Sequence, residues 1–510
     1  MRSHSVVDIH PRRVVGPGRA VPPYFPDLNL DQVIGAVLAG REEYDLTPLF
    51  ATPVQDVATV VYRQQAFRDL DGTDLFGDVR AFADSMRAAR RYLAEAAKSA
   101  YAHQSERWLL DASVIYCGAV TRLAADLART APASPAFQAI GEHLSRLVES
   151  DGFRTLVHDA GEAKRVLAGV RYCVHVKGDV VQVSTFDGQD DLSAEVVQTF
   201  RRFAQDEAPF PRKLPAEGSG MDKVEARILE LVARLHPAAF ARLDAFAVRH
   251  QAFLDEVVVT FDREVQFYVA YLEHAETFRA AGLPFCYPDV SEDTKEVRAR
   301  QGYDLALAGQ LLTGQAAVVT NDFDLRNPER TMVVTGPNQG GKTTFARMFG
   351  QLHHLASIGC PVPASEARLL LFDRIFTHFE RQEDLRTHSG KLQEELVRIH
   401  AILQQATPRS IIVLNEIFTS TTVEDAVLLG SRVLERVVAL DCLCVCVTFV
   451  DEWSTLDPTI VSMVSSIDPG DPAVRTFQVI RRPADGLAYA ATLAERYGLT
   501  YERMKERIAS

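Results

Sequence analysis

The sequence predicts an α/β layer architecture in its C-terminal part, preceded by a mainly α-helical region with a small β-hairpin insertion. After about residue 296, short apolar runs alternate with helical segments, a pattern typical of buried strands in α/β proteins. Before residue 296, long stretches contain neither Gly nor Pro and are rich in Ala, Leu, Arg and Glu. The strand candidates are Ala316–Val319, Thr331–Thr335, Leu369–Phe372, Ser410–Leu414, Cys442–Thr448 and Arg475–Ile480.

Two long segments without Gly or Pro carry the helical prediction, namely Asp78–Cys117 and Ala238–Ala281. The second, if it were one helix, would span about 66 Å at 1.5 Å per residue. Such a length suits an arm or a lever, although packing within a bundle explains the same apolar spacing. Between them, Val170–Val183 alternates apolar and polar residues around a central Lys-Gly-Asp turn, which predicts a β-hairpin.

These patterns divide the 510-residue chain into three predicted regions. Residues 1–45 are rich in proline and are expected to form an irregular arm. Residues 46–295 form a helical, lever-like core with the β insertion near 170–187. Residues 296–510 form the α/β domain with C-terminal helices.

Composition narrows the class of protein further. The hydrophobic content is 47% and the charged content 24%, which is close to the average for globular proteins. A net charge of −13 argues against a surface that is basic everywhere, but it leaves a local basic stripe possible. No apolar run reaches 18 residues without a charge and no signal peptide is visible, so we expect a cytoplasmic protein without a membrane anchor.

The seven cysteines are odd in number and the chain is large, so a disulfide framework is not expected. Cys442, Cys444 and Cys446 alternate along one strand candidate and would share one face of it. A metal or redox site there is one interpretation. Packing of small residues in a buried strand is the other, and it is favoured.

The strongest functional signal is a glycine-rich segment, Gly336-Pro337-Asn338-Gln339-Gly340-Gly341-Lys342-Thr343, which matches G-x-x-x-x-G-K-[ST] at every required position. A strand candidate precedes it, and a helix candidate begins at Thr344. Glycines let the backbone N–H groups face an anion, and the helix N-terminus adds partial positive charge. Lys342 would neutralise the β- and γ-phosphates of ATP, and the Thr343 hydroxyl would bind Mg²⁺. The sequence therefore predicts a P-loop and its cofactors, ATP and Mg²⁺.

A second strand with an acidic end would complete such a site. Ser410–Leu414 is followed by Asn415 and Glu416. Glu416 is the candidate general base that polarises the attacking water. Asn415 stands where an Asp usually supports Mg²⁺, and its side chain offers an oxygen but no charge. We expect weaker metal binding or slower turnover as a result.

Here the chain resembles the MutS family. Gly336–Thr344 is similar to the family's Walker A segment, GPN-x-GGK-[ST]-T, and Asn415–Asp425 is similar to its Walker B segment and the loop after it. Residues 372–390 resemble the family's signature region, which implies that Ser389 reaches the γ-phosphate bound in a second subunit. The resemblance covers residues 315–500 specifically and 46–290 only loosely. It implies a MutS- and ABC-like ATPase fold, a homodimer with composite ATP sites, and binding to double-stranded or branched DNA.

Three departures limit what the resemblance implies. One is Asn415. Another is Phe449, which follows Thr448 where the family has a γ-phosphate-sensing His. The third is the N-terminus, where about 45 residues leave no room for the family's mismatch-recognition domain, so direct mismatch reading is not expected of this chain alone.

Weaker candidates have more ordinary explanations. His353, His354, His378 and His388 fit no common zinc spacing and are expected to be surface or structural residues. Lys391, Glu394 and Glu395 are expected on a solvated helix face. Arg87, Arg90 and Arg91 share one helical face and could contact phosphates, although a solvated face is the simpler interpretation.

Two functional hypotheses follow. The first is an ATP-hydrolysing protein that couples nucleotide state to DNA binding in repair or recombination, with a second copy of itself and other repair proteins as partners. The second is a slow or inactive nucleotide-dependent switch or scaffold that holds a protein partner. Glu416, Lys342 and Thr343 favour the first hypothesis, whereas Asn415 and Phe449 favour the second.

Overall fold

The structure is a computed structural model, and it describes residues 5–8, 21–177, 180–188, 221–380, 390–468, 470 and 474–484. The chain divides into two compact units. The first, here called the sheet unit, contains residues 1–71, 133–136 and 263–510. The second, here called the helical unit, contains residues 72–132 and 137–262. The domain limits predicted from the sequence, at residues 45 and 295, remain proposals.

The described helices follow one another along most of the first 280 residues and then alternate with strands. They are α1 (Leu30–Leu38), α2 (Thr47–Ala51), α3 (Val57–Leu70), α4 (Asp74–Lys98), α5 (Ala102–Thr130), α6 (Pro135–Glu149), α7 (Asp151–Ala168), α8 (Lys223–Leu235), α9 (Pro237–Arg249), α10 (Glu256–Arg279), α11 (Leu305–Thr313), α12 (Lys342–Ser357), α13 (Lys391–Gln405) and α14 (Val423–Ala439).

The described strands are β1 (Tyr172–Lys177), β2 (Val180–Thr185), β3 (Asp289–Ser291), β4 (Val297–Gly302), β5 (Asn321–Leu325), β6 (Thr331–Thr335), β7 (Glu366–Leu370), β8 (Ile375–His378), β9 (Ile411–Asn415), β10 (Leu443–Val447), β11 (Ile460–Ile467) and β12 (Arg475–Arg481). The protein is therefore mixed α/β, with a mostly helical N-terminal part and sheets toward the C-terminus, as the sequence predicts.

The helical unit is built around the pairing of α4 with α5. Leu75, Val79, Phe82 and Met86 recur every three or four residues along α4, so they share one face, and all four are buried. By length and composition α5 could cross a membrane, but half of its most apolar stretch is buried inside the protein. Burial of this kind is typical of a core helix in a bundle.

Residues 238–281 do not form one helix, because the helical backbone is interrupted between α9 and α10. Asp255 causes the restart. Its carboxylate accepts hydrogen bonds from the backbone N–H groups of Val257 and Val258, both at 3.0 Å. The Tyr116 hydroxyl accepts the N–H of Asp255 itself at 3.1 Å. A side chain that caps a helix N-terminus in this way competes with a continuous helix.

The predicted β-hairpin is present, with β1 and β2 antiparallel and Lys177 opposite Val180. The N-terminal arm differs from its prediction, because α1 forms within it. Leu30, Val33, Ile34 and Val37 are buried on one face of this helix. That spacing is a helix signal, which the neighbouring prolines obscured.

The main sheet of the sheet unit has six strands in the order β12-β11-β6-β10-β9-β8. The five strands from β11 to β8 are parallel, and β12 is an antiparallel edge strand. A second sheet has the order β3-β7-β4-β5. The strand predicted at residues 316–319 does not form, and β5 begins two residues later.

Every residue of β6, β9 and β10 is buried. Strands that are buried on both faces have few polar residues, so these strands appear in the sequence as almost continuous apolar runs. Cys442, Cys444 and Cys446 belong to one buried cluster with α14 and Trp453. All seven cysteines are free thiols. The packing interpretation of the three alternating cysteines is thus confirmed.

Candidate functional site

The candidate site lies where neighbouring parallel strands of the main sheet end. The register pairs Val447 of β10 with Val334 of β6 on one side and with Asn415 of β9 on the other. The segments that follow these strands therefore meet at one edge of the sheet. In open α/β sheets, ligands bind in the crevice outside the carboxyl ends of the strands.

The glycine-rich loop, residues 336–341, connects β6 to the N-terminus of α12. Gly336 and Gly341 have φ of 117° and 90°, values that side chains with a Cβ rarely adopt. Gly340 is required for a different reason. A Cβ there would lie 2.3 Å from the Oγ of Ser465, which reaches under the loop from β11. The Ser465 hydroxyl also donates to the Gly340 carbonyl at 2.6 Å and fixes the loop on the sheet.

Lys342 is folded back onto this loop. Its Nζ donates to the carbonyl oxygens of Gly336 and Pro337 at 2.9 and 3.0 Å. The ammonium also lies 4.2 Å from the centre of the Phe449 ring, a cation–π contact. Burial lowers the pKa of Lys342 to about 8, with Glu416 opposing the shift and Arg475 adding to it. The lysine is therefore a cation in a poorly solvated site, and no carboxylate among the described residues is bonded to it.

The loop and the end of β9 are joined by one hydrogen bond. The Thr343 hydroxyl donates to the Asn415 side-chain oxygen at 2.8 Å. Both side chains offer oxygen atoms, the ligand type that Mg²⁺ prefers, so their chemistry suits a magnesium site. The pair lacks the negative charge that a carboxylate at residue 415 would add.

Glu416 follows directly and is half-buried. Its backbone is in the left-handed region, with φ of 55°, and its N–H donates to the Val447 carbonyl at 2.8 Å. Burial raises the pKa of the Glu416 carboxyl, the nearby Lys342 lowers it, and Glu380 raises it further. A carboxyl with a raised pKa beside a lysine with a lowered pKa is typical of acid–base sites.

The remaining predicted residues are placed as follows. Pro337 is buried, Asn338 and Gln339 are exposed at the tip of the loop, and Thr344 is half-buried at the start of α12. Ser389 lies outside the described residues. In the loop after β9, Thr422 caps α14 by accepting the N–H of Asp425 at 3.2 Å.

The β11–β12 hairpin supplies residues that the sequence did not indicate. Besides Ser465, Arg475 donates from its Nε to the Asn338 carbonyl at 3.3 Å. The backbone of Phe477 lies against Gly341. These residues follow the loop by more than 120 positions, and no local motif marks them.

Some weaker candidates are corrected by the structure. Glu395 is buried, not on a solvated face, and its carboxylate lies 3.9 Å from the buried His378. His353 and His354 are also buried, and burial lowers the pKa of each to about 4. These two histidines are structural and neutral. Arg90 pairs with the buried Asp262, which makes it a packing residue of the helical unit.

Comparison with known proteins supports the resemblance stated above. Residues 332–469 match the family model for MutS domain V. The chain is 32% identical over 190 residues to the DNA mismatch repair protein MutS of Shouchella clausii, covering 36% of this chain and 22% of that protein. It is 30% identical over 256 residues to the protein of the same name from Thermus thermophilus, covering 47% of this chain and 31% of the relative.

A third relative, DNA mismatch repair protein MutS of Orientia tsutsugamushi, is 28% identical over 235 residues, covering 45% of this chain and 25% of the relative. The chain thus spans about a third or less of the length of these relatives. The matched range contains Gly336–Thr344, Asn415, Glu416 and Phe449, so the match covers the strand ends that form the site. On this basis, the region that holds the site is related to MutS domain V.

Proposed function

We propose that this protein binds ATP with Mg²⁺ at the glycine-rich loop, as a P-loop ATPase does, and hydrolyses it to ADP and phosphate. The hydrogen bond between Thr343 and Asn415 is the observation that carries the proposal. It joins the residues directly after the glycine-rich loop to the end of β9. A glycine-rich turn that does not bind nucleotide would not need this link. Lys342 and Glu416 lie at the same edge of the sheet, with pKa values shifted toward one another.

Lys342 would bind the phosphates by exchanging partners. In the structure its ammonium contacts two loop carbonyls and the Phe449 ring. Phosphate oxygens are stronger acceptors for a charged donor than neutral carbonyls are, so they would draw the ammonium toward them. The backbone N–H groups of residues 338–344 would bind the same phosphates at the positive end of α12.

Thr343 and Asn415 would hold Mg²⁺, which would neutralise phosphate charge. Glu416 would orient the attacking water and accept its proton, because burial raises its pKa above that of an exposed carboxyl. The fixed left-handed backbone of Glu416 and its hydrogen bond to Val447 would keep the carboxyl in one place. Catalysis of phosphoryl transfer depends largely on such positioning.

The names of the relatives refer to DNA mismatch repair. We infer that this chain couples its nucleotide state to binding of double-stranded or branched DNA, in repair or recombination in the cytoplasm. Two copies would form composite ATP sites, with the Ser389 region of one chain completing the site of the other. Coupling of this kind is reciprocal, so DNA would change the affinity for ATP by the factor by which ATP changes the affinity for DNA.

A second candidate function is favoured by two specific features. Asn415 adds no charge for Mg²⁺, and Phe449, which is 49% exposed, lies against Lys342 without a polar group to sense a γ-phosphate. A site of this composition suits a switch that binds ATP, hydrolyses it very slowly and holds a protein partner. The two candidates share ATP binding and differ in turnover and DNA response.

ATPase rates with and without duplex, branched and single-stranded DNA distinguish them. Lys342→Ala and Glu416→Ala serve as site variants. Glu435→Gln, an exposed position on α14 that pairs with Arg432, serves as the control. DNA-stimulated hydrolysis that is lost in both site variants and kept in the control supports the ATPase proposal. ATP binding with negligible hydrolysis that does not respond to DNA would leave the switch.

A further inference from the structure

Three metal-binding side chains converge in the helical unit, far along the chain from the nucleotide site. They are His103 and Glu106, one turn apart on α5, and Asp244 on α9. Their ligand atoms all lie within 4.8 Å of one another, and all three residues are half-buried. No other group of three such side chains meets this condition among the residues that the structure describes.

The distances suit a small cation. His103 Nδ1 lies 3.1 Å from Glu106 Oε2 and 3.4 Å from Asp244 Oδ1. In a tetrahedral zinc site with bonds of about 2.0–2.1 Å, neighbouring ligand atoms are about 3.3–3.4 Å apart. The distances from His103 to Glu106 and to Asp244 are thus already close to those of a metal site. A side-chain rotation would adjust the distance between the Glu106 and Asp244 oxygens.

The imidazole is held in place by packing. Its ring contacts Phe240, one turn before Asp244 on α9, with ring centres 4.8 Å apart. In this position Nδ1 lies 3.1 Å from a Glu106 oxygen and 3.4 Å from an Asp244 oxygen. Ligands fixed in this way by neighbouring groups need little reorganisation to bind a metal.

Asp244 provides a second observation. Its Oδ1 is shielded from solvent and has no hydrogen-bond partner among the described residues, although 49% of the side chain as a whole is exposed. A buried carboxylate oxygen without a partner costs free energy.

The charges indicate the kind of ion. Two carboxylates with one neutral imidazole balance a charge of +2. One nitrogen with two oxygens suits zinc and the other first-row divalent ions, whereas Mg²⁺ and Ca²⁺ prefer oxygen ligands alone.

We propose that His103, Glu106 and Asp244 bind one divalent first-row metal ion, with zinc as the best fit, and that this ion joins α5 to α9 within the helical unit. Three protein ligands leave a fourth position for water. The site is independent of the nucleotide site, so the proposal stands whether or not the protein hydrolyses ATP. Its role is to stabilise the helical unit, because an ion that binds only the folded state raises the free energy of unfolding.

The test uses the full chain freed of metal with a chelator and titrated with Zn²⁺ by calorimetry and with Co²⁺ by visible absorption. Asp244→Asn and Glu106→Gln each keep the size of the side chain and remove one ligand charge. The matched control is His143→Gln, because His143 pairs with Asp255 at 2.9 Å but belongs to no group of three ligands in the described ranges.

We expect one equivalent of metal in the wild type and in His143→Gln, with a tetrahedral Co²⁺ spectrum and a raised unfolding temperature. Asp244→Asn and Glu106→Gln should bind about tenfold more weakly or worse. Circular dichroism of the metal-free variants shows whether each is folded, and a variant that unfolds is replaced by the other. Absence of stoichiometric binding in the wild type, or equal binding by folded ligand variants, would overturn the proposal.

Discussion

The two halves of the candidate nucleotide site differ in how closely they follow the pattern expected of a P-loop ATPase. The loop half, residues 336–344, has every required residue type, and its glycines are fixed by backbone geometry and by contact with Ser465. The strand-end half has Asn415 in place of an acid and Phe449 in place of a hydrogen-bonding residue. Binding of phosphate depends mainly on the first half and turnover mainly on the second. The comparison therefore predicts a protein whose nucleotide binding is better preserved than its hydrolysis.

The largest expected effect comes from Glu416→Gln. Removing the general base should lower the hydrolysis rate by about 10²–10⁴-fold and leave ATP affinity nearly unchanged. Single-turnover hydrolysis and equilibrium ATP binding, measured on the same preparation, test this. Comparable losses in rate and affinity would show that the two halves are not separable.

Gly340→Ala should distort the loop half of the site and weaken ATP binding. The added Cβ would lie 2.3 Å from Ser465 Oγ and 3.0 Å from the Pro337 carbonyl, so the loop must shift. Overpacking of this kind costs about 1–3 kcal/mol, which corresponds to about 5- to 150-fold in ATP affinity. The double variant Gly340→Ala with Ser465→Gly should recover part of the loss, because the nearer obstacle is removed.

A suitable control is Gly309→Ala in α11, where the nearest atom to an added Cβ is 3.7 Å away. This substitution should leave ATP binding as it is in the wild type. If Ser465→Gly fails to relieve Gly340→Ala, the contact with Ser465 does not determine the shape of the loop.

The pH dependence of ATP binding tests the environment of Lys342. In the free protein burial holds its pKa at about 8, and bound phosphates would raise it again. The complex then binds one more proton than the free protein above pH 8. Affinity should therefore fall as the pH rises above 8, by up to about tenfold per pH unit.

Lys342→Arg distinguishes deprotonation of Lys342 from titration of other groups as the cause of the pH dependence of ATP binding. A guanidinium stays charged throughout the range, so the affinity of this variant should be flat above pH 8 even if it is lower than that of the wild type. An equally steep decline in Lys342→Arg would assign the titration to another group.

Asn415→Asp should strengthen Mg²⁺ binding at the strand-end half of the site. The added carboxylate charge should lower the Mg²⁺ concentration for half-maximal hydrolysis by about tenfold, because ligand charge sets much of the affinity for a hard cation. Thr343→Val in the same chain should cancel the gain. An unchanged Mg²⁺ requirement in Asn415→Asp would mean that residue 415 does not support the metal.

Phe449→Leu should have the smallest effect. It removes the cation–π contact of about 0.5–1 kcal/mol that holds Lys342 in the nucleotide-free state. ATP should then bind about two- to fivefold more tightly, because the lysine is released more easily. Weaker ATP binding, measured by calorimetry, would indicate that the ring supports the bound nucleotide instead.

The sequence predicted the parts of the site that depend on local pattern. Thr331–Thr335 is a strand as predicted, and the loop and Glu416 follow buried strands because apolar runs and glycines are local signals. Ser465 and Arg475 were missed because the β11–β12 hairpin brings them to the loop through tertiary packing. The break before Asp255 was missed because no Gly or Pro marks it. The Asp255 cap that begins α10 is held in place partly by the Tyr116 hydroxyl, which is distant in sequence.

The most direct test of the central claim is equilibrium binding of ATP to the wild type, to Lys342→Ala and to Lys223→Ala, an exposed lysine of α8. The prediction is saturable binding by the wild type and Lys223→Ala, and binding weaker by about 10- to 100-fold in Lys342→Ala, because a hydrogen-bonded charge is lost. Equal ATP binding by all three proteins would contradict the account, since the nucleotide would then bind somewhere other than the glycine-rich loop.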